Sequence, residues 1–223
     1  MLSFNPAGSG DEETWPDATA DLLRSRDSRD RLKGIRQLRH PWSAPAVLQL
    51  HRLSRHPNLL YRAAAKGELD MVDIVFRRRI YRVRQKMKGD EENPALWFSL
   101  AVVFLRYAQI WPHDRENRTF FLSQALNYLN RLIRLVKPKL IYFYYRGLVR
   151  KEMGQYRTAL SDFRKVLHAK PEHWGALLGL LACLYEIGDY PRLGQVAQSW
   201  KQWARHPYQR ALLTTWGGEN KQG

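Results

Sequence analysis

The sequence predicts an all-α fold, and three observations carry that prediction. There is no sustained alternation of apolar and polar residues and no Asn-Gly or Asp-Gly hairpin signal, so strands are not expected. Apolar residues recur instead at helical spacing. Leu69, Val72, Phe76, Ile80, Val83 and Met87 follow one another in steps of 3, 4, 4, 3 and 4, a single stripe along one helix. Finally, Gly154-Gln155-Tyr156 returns 34 residues later as Gly188-Asp189-Tyr190. A fixed period between helical stretches means stacked helix pairs, each burying its apolar face against the next. The expected architecture is a helical-repeat superhelix, an α-solenoid. At 223 residues and 44% hydrophobic content the chain is large and apolar enough to build such a core.

Residues 1–16 carry Pro6, Gly8, Gly10 and the acidic run Asp11-Glu12-Glu13, and read as a flexible lead. They have no basic start followed by an apolar stretch, so no secretory signal is expected. Residues 17–90 read as short helices ending in a long basic one. Arg31, Gly34 and Leu38 are echoed by Arg62, Ala65 and Leu69 at an offset of 31 residues. His40-Pro41 and His56-Pro57 punctuate the helices between. This rhythm resembles short HEAT-type helical repeats. Gly89 and Pro94 place the end of the long helix near Lys88.

Residues 94–207 divide into three helix pairs, at about 94–138, 140–171 and 174–207. In the middle pair Gly154 ends the first helix, because a left-handed backbone costs glycine little. Pro171 ends the second, because proline cannot continue a helix. Ala159 and Phe163 sit four apart on the second helix, a small residue for close approach and an aromatic to fill the space beside it. Gly147, Gly154, Tyr156, Ala159, Phe163 and Pro171 together resemble the tetratricopeptide repeat. Two places depart from that pattern: Arg150 stands where an aromatic is usual, and Phe143 replaces a tryptophan. The last pair is more divergent, with Leu193 for the small residue and Ala197 for the aromatic. In the first pair Ala125 lies one 34-residue step before Ala159. Its turn, Trp111 to Asn117, is expected to be longer than the family norm. Residues 208–223 read as a cap or tail.

The charge is strongly positive: 37 Lys and Arg against 21 Asp and Glu, net +16. Such a balance favours an acidic partner, an anionic membrane surface or nucleic acid. The one cysteine, Cys183, lies in the apolar run Leu180 to Leu184 and is expected to be a buried thiol. A reducing, cytoplasmic setting fits. Uncharged apolar stretches such as Ala95 to Leu105 are about half the roughly 20 residues of a spanning helix.

No catalytic or cofactor motif is present: no phosphate-binding glycine loop, no dinucleotide fingerprint, no nucleophile elbow. The histidines are scattered, and His168 and His173, flanking Pro171, read as turn residues. The carboxylates Glu91, Glu92, Asp114, Glu116 and Asp189 read as solvated turn groups. No catalytic residue, metal or cofactor is therefore expected.

Three features invite binding. Arg77, Arg78, Arg79, Arg82, Arg84, Lys86 and Lys88 form a basic face opposite the apolar stripe of the long helix. Such a face suits phosphate, anionic headgroups or an acidic protein. Among Tyr142, Phe143, Tyr144 and Tyr145, at least two are expected to pack between repeats. Tyr144 and Tyr145, with Lys151 and Tyr185, match groove-facing places in the tetratricopeptide pattern, so the resemblance implies a protein partner there. Trp200, Trp203 and Trp216 would form an apolar end, with Tyr208 to Trp216 as its cap.

HEAT-like helices, a long charged helix and divergent tetratricopeptide pairs, over about residues 20–205, are together similar to the soluble part of the PelE family. Segments such as Asp27 to Leu38 and Tyr61 to Arg84 carry the likeness. That family carries membrane helices before its repeats, and no segment here is such a helix. The resemblance implies a non-catalytic scaffold of bacterial Pel exopolysaccharide export. It would act at the cytoplasmic face of the inner membrane, recruiting the polymerising glycosyltransferase to the export components. The alternative expectation is a basic helical-repeat protein that binds nucleic acid.

Overall fold

The computed structural model describes residues 17–38, 43–111 and 114–217. The predicted lead at 1–16, His40-Pro41, Pro112-His113 and the last residues from Gly218 lie outside the described residues. Eleven α-helices are described: α1 Asp17–Arg24, α2 Ser28–Gln37, α3 Ala44–Leu53, α4 Leu59–Met87, α5 Pro94–Ile110, α6 Arg115–Leu135, α7 Leu140–Glu152, α8 Tyr156–Ala169, α9 Trp174–Glu186, α10 Tyr190–Trp200 and α11 Pro207–Trp216. A short 3₁₀ turn, Lys201–Trp203, follows α10. The fold is all-α and helical-repeat, and no strand occurs among the described residues. The helices fall into two compact units, Met1–Glu92 with Arg106–Phe121, and Asn93–Leu105 with Leu122–Gly223.

Local chemistry sets most helix starts. The first backbone N–H groups of a helix have no partner within it, so a side-chain acceptor placed just ahead is stabilising. Asp27 accepts from the Arg29 amide at 2.8 Å, Ser43 from Ala46 at 3.3 Å and Asn58 from Leu60 at 2.9 Å. Asn93 serves α5, accepting from Ala95 at 2.9 Å, with Pro94 supplying a pre-set first residue. Asp114 accepts from Asn117 at 3.1 Å and so starts α6 at Arg115. The turn before α6 is thereby shorter than the expected Trp111 to Asn117, because a capping aspartate brings the helix start forward.

In the first unit α1 packs on α2, and both α2 and α3 pack on α4. Gly34 admits the α1 contact, since a Cβ there would meet Leu22 and Leu23 at 3.1 Å. The predicted stripe of α4 is the buried one: Leu69, Val72, Phe76 and Ile80 join Ile35, Leu38, Val47 and Leu50 in the core. Tyr107 stacks on Phe76 with ring centroids 5.2 Å apart, and its hydroxyl donates to Asp73.

In the second unit the order of packing is α7 on α8, α8 on α9, α9 on α10 and α10 on α11. Gly154 and Gly188 end α7 and α9 at φ +74° and +75°, the left-handed region their repeat positions require. Phe163 of α8 is fully buried and lies between two glycines on different helices. A Cβ on Gly147 of α7 would come within 2.8 Å of its ring, and one on Gly179 of α9 within 2.5 Å. The next repeat reverses the sizes. One 34-residue step on, Leu181 stands for Gly147 and Ala197 for Phe163, and both are buried in the same cluster. Large and small trade helices, so the pair keeps its volume while losing the usual sequence signature. α11 covers α10 through Leu213, with Trp216 half-buried against the cluster. Trp200 and Trp203 do not share one α-helix: α10 ends at Trp200 and Trp203 sits in the 3₁₀ turn.

Three glycine substitutions should separate close approach, backbone strain and simple flexibility. Gly179→Ala should destabilise by about 1–3 kcal/mol through the Phe163 clash. Gly154→Ala should cost about 1 kcal/mol from its positive φ alone. Gly67→Ala should stabilise by about 0.5–1 kcal/mol, since Gly67 lies mid-helix with open space around it. Urea unfolding monitored by circular dichroism measures all three.

Candidate interaction surface of the repeat pairs

The surface formed by α7 and α9 is set from below by the Phe163 packing. Tyr144 points into that core, not outward. It is 8% exposed, its ring lies 4.7 Å from His173, and its hydroxyl occupies space that Gly175 leaves open. Tyr142 is also buried, while Phe143 and Tyr145 are half-buried. Tyr145 meets Phe98 edge-on at 5.2 Å. Of the four aromatics, then, Tyr142 and Tyr144 pack inside.

Lys151 and Tyr185 lie toward the far ends of α7 and α9. Tyr185 is 58% exposed and meets the equally exposed Tyr190 edge-on at 5.9 Å. Lys151 Nζ lies 3.5 Å from Glu152 Oε1 and is near enough to Cys183 to act on its thiol electrostatically. Glu186 lies near enough to act on the Tyr156 hydroxyl electrostatically at the same end. Burial first, then that carboxylate, raises the Tyr156 hydroxyl above its ordinary pKa. The arrangement offers two exposed aromatic rings beside a cation and carboxylates, groups suited to recognition of a protein segment.

Beneath this surface lies a charge network that the sequence did not announce. Asp162 of α8 is 1% exposed and takes both faces of a fork from α7. Arg146 donates Nη2 to Oδ1 at 2.7 Å and Nε to Oδ2 at 3.0 Å, and Arg150 donates Nη1 to Oδ2 at 2.7 Å. Arg146 also reaches Asn130 of α6 at 3.1 Å. The Asp162 carboxylate thus ties α8 to α7, and Arg146 carries the tie on to α6. The signal that could have found it is Arg150, a cation where the repeat pattern prefers an aromatic. The solvated-turn account of the carboxylates holds for Asp189, which caps α10, but Asp162 is a buried partner of two guanidiniums.

His173 is a cap, its Nδ1 accepting from Ala176 at 3.1 Å, while His168 is exposed. His168 borders a pocket of about 480 Å³ with Arg164, Pro171, Leu180, Trp200 and Trp203. Trp200 is oriented there by its indole N–H, which donates to the Pro171 carbonyl at 3.0 Å. Among the described residues no group of three His, Cys, Asp or Glu is placed to hold a metal ion.

All seven residues of the predicted basic face are exposed, six of them on α4 and Lys88 at its C-cap. Arg77 is held by Asp73 at 2.6 Å, whose carboxylate raises its pKa. Among the described residues no helix is long and apolar enough to cross a membrane.

Removing Asp162 as Asp162→Ala should cost roughly 3–5 kcal/mol, because two largely buried guanidiniums lose their counter-charge. Urea unfolding reads this directly. A second expectation concerns alkali. Burial raises Cys183 and Tyr144 to about 12 each in the folded state, above ordinary values of 9.0 and 10.0. Both groups are neutral when protonated. The stability they contribute is therefore complete below the ordinary values and is lost as pH rises toward about 12. Thermal midpoints should fall across that window, and a thiol reagent at neutral pH should label Cys183 only on unfolding.

A TPR repeat-containing protein of Rhizobium etli is 35% identical to this chain over 65 residues, 29% of this chain and 32% of that protein. The chain thus matches about a third of that relative's length. No protein-family model matches the sequence, and no solved structure matches it. The repeat signature, the left-handed glycines 34 residues apart and this relative make the chain a tetratricopeptide-like helical-repeat protein.

Proposed function

We propose that this chain is a non-catalytic scaffold that holds a protein partner through the α7–α9 surface. The observation that carries this reading is the exposed Tyr185–Tyr190 ring pair, at the end of α9 and the start of α10, with Lys151 near the end of α7. Large, stiff side chains that are exposed and already oriented lose little freedom on binding, which is why aromatics dominate recognition surfaces. Tyr145 extends the surface as a half-buried member. Tyr144 acts from inside, holding His173 and the start of α9 in place.

The partner in this reading is the polymerising glycosyltransferase of a bacterial exopolysaccharide export complex, met at the cytoplasmic face of the inner membrane. What supports it is the order of elements shared with the PelE family: short helices, a long basic helix, then divergent tetratricopeptide pairs.

The test is a binding titration with the purified cytoplasmic part of such a glycosyltransferase. The wild-type chain should bind it. The double substitution Lys151→Glu with Tyr185→Ala should weaken binding roughly tenfold or more, without changing the unfolding midpoint. Absence of wild-type binding would remove the exopolysaccharide assignment. Wild-type binding that ignores both substitutions would remove the α7–α9 surface.

A further inference from the structure

The exposed face of α4 is not only basic. Met71, Ile74 and Tyr81 are 38%, 37% and 63% exposed and stand on one side of the helix, opposite the buried Val72, Phe76 and Ile80. Arg78 falls in the same row, at steps of 4 from Ile74 and 3 to Tyr81, with Arg82 beside it. Arg79 and Lys86 flank one edge, and Arg77 and Lys88 the other. The row runs from Met71 to Lys88, about 26 Å of helix. Acidic groups stand only at its ends. Asp70 and Asp73 lie near its start, where Asp73 is engaged by Arg77 and Tyr107, and Asp90, Glu91 and Glu92 follow α4.

We propose that this face docks on an anionic membrane surface, with Met71, Ile74 and Tyr81 entering the headgroup layer and Arg78, Arg79, Arg82 and Lys86 meeting lipid phosphates. The chemistry is that of an interfacial helix, in which shallow apolar burial and attraction to anionic headgroups add. Tyrosine suits the headgroup level, with an apolar ring and a polar tip. Two features favour lipid over the other acidic surfaces. A phosphate backbone makes no use of Met71 and Ile74, which belong to the contact. The face is also one continuous row about five turns long on a single helix, a form that a planar, yielding interface can meet residue after residue. The inference stands apart from the α7–α9 surface, since none of its residues belongs to the repeat pairs.

Co-sedimentation of the full chain with phosphatidylcholine vesicles, with or without phosphatidylglycerol, tests this. Binding is expected only with the anionic lipid. Arg78→Glu, Arg79→Glu and Arg82→Glu together should lower it by roughly a hundredfold, whereas the same three changed to Lys should retain most of it. Met71→Ser with Tyr81→Ser should leave low-salt binding but remove the fraction that survives at high salt. Lys151→Glu with Tyr185→Ala should have no effect, which separates this outcome from failure of the scaffold reading. Circular dichroism of each variant checks that α4 remains folded. Three results would overturn the proposal: no wild-type binding to anionic vesicles, equal binding to neutral ones, or salt-sensitive binding to duplex or single-stranded nucleic acid in place of vesicles.

Discussion

The packing of Phe163 between Gly147 and Gly179 is the constraint on which the repeat half depends. A phenyl ring buried between two helices needs its neighbours' backbones close on both faces, and only glycine allows that approach. The arrangement fixes how near α7, α8 and α9 come to one another. It thereby sets where Tyr144, Tyr145 and Tyr185 emerge or stay inside. Ala159, four residues earlier on α8, is fully buried in the same cluster and keeps the rest of the contact narrow. In the following repeat the large residue stands on the opposite helix, with Leu181 one period after Gly147 and Ala197 one period after Phe163 in the same buried cluster. Close packing conserves the space that is filled, not the residue that fills it.

The second determinant is the carboxylate of Asp162. Its burial would be costly alone, and three hydrogen bonds from Arg146 and Arg150 offset that cost. Because the guanidinium fork is planar and directional, the network also specifies register: α7 can slide against α8 only by breaking it. Asn130 extends the constraint to α6. Positive charge is thus used in two ways. On α7 it is largely buried, bidentate and structural, whereas on α4 it is exposed and repeated along one face.

Each proposed surface follows from a face that folding left over. On α4 the stripe from Leu69 to Ile80 is buried, with α2 and α3 packed on the helix and Tyr107 stacked on Phe76, so the residues between the stripe positions have no interior to enter. On α7 and α9 the glycine-lined face is consumed by Phe163, which leaves the helix ends to carry Lys151 and Tyr185. The cap formed by α11 covers α10 through Leu213, while Trp203 remains 44% exposed. What a repeat protein presents is therefore decided by which side of each helix its neighbours require.

The sequence by itself determined the helices, their order, the buried side of α4 and the repeat period. These are local properties: spacing of 3.6 and glycines at a left-handed turn. It also singled out Arg150 as an oddity without explaining it. Only the tertiary structure decided that Tyr144 faces inward, that Asp162 is a buried counter-ion and that Leu181 and Ala197 exchange sizes. Each of these depends on a residue on another helix, separated from it by a distance in sequence that periodicity does not encode. The exposed row of Met71, Ile74 and Tyr81 belongs to the same class. Apolar residues in an amphipathic helix are assigned to the core by default, and burial on the other face is what shows these three to be outside.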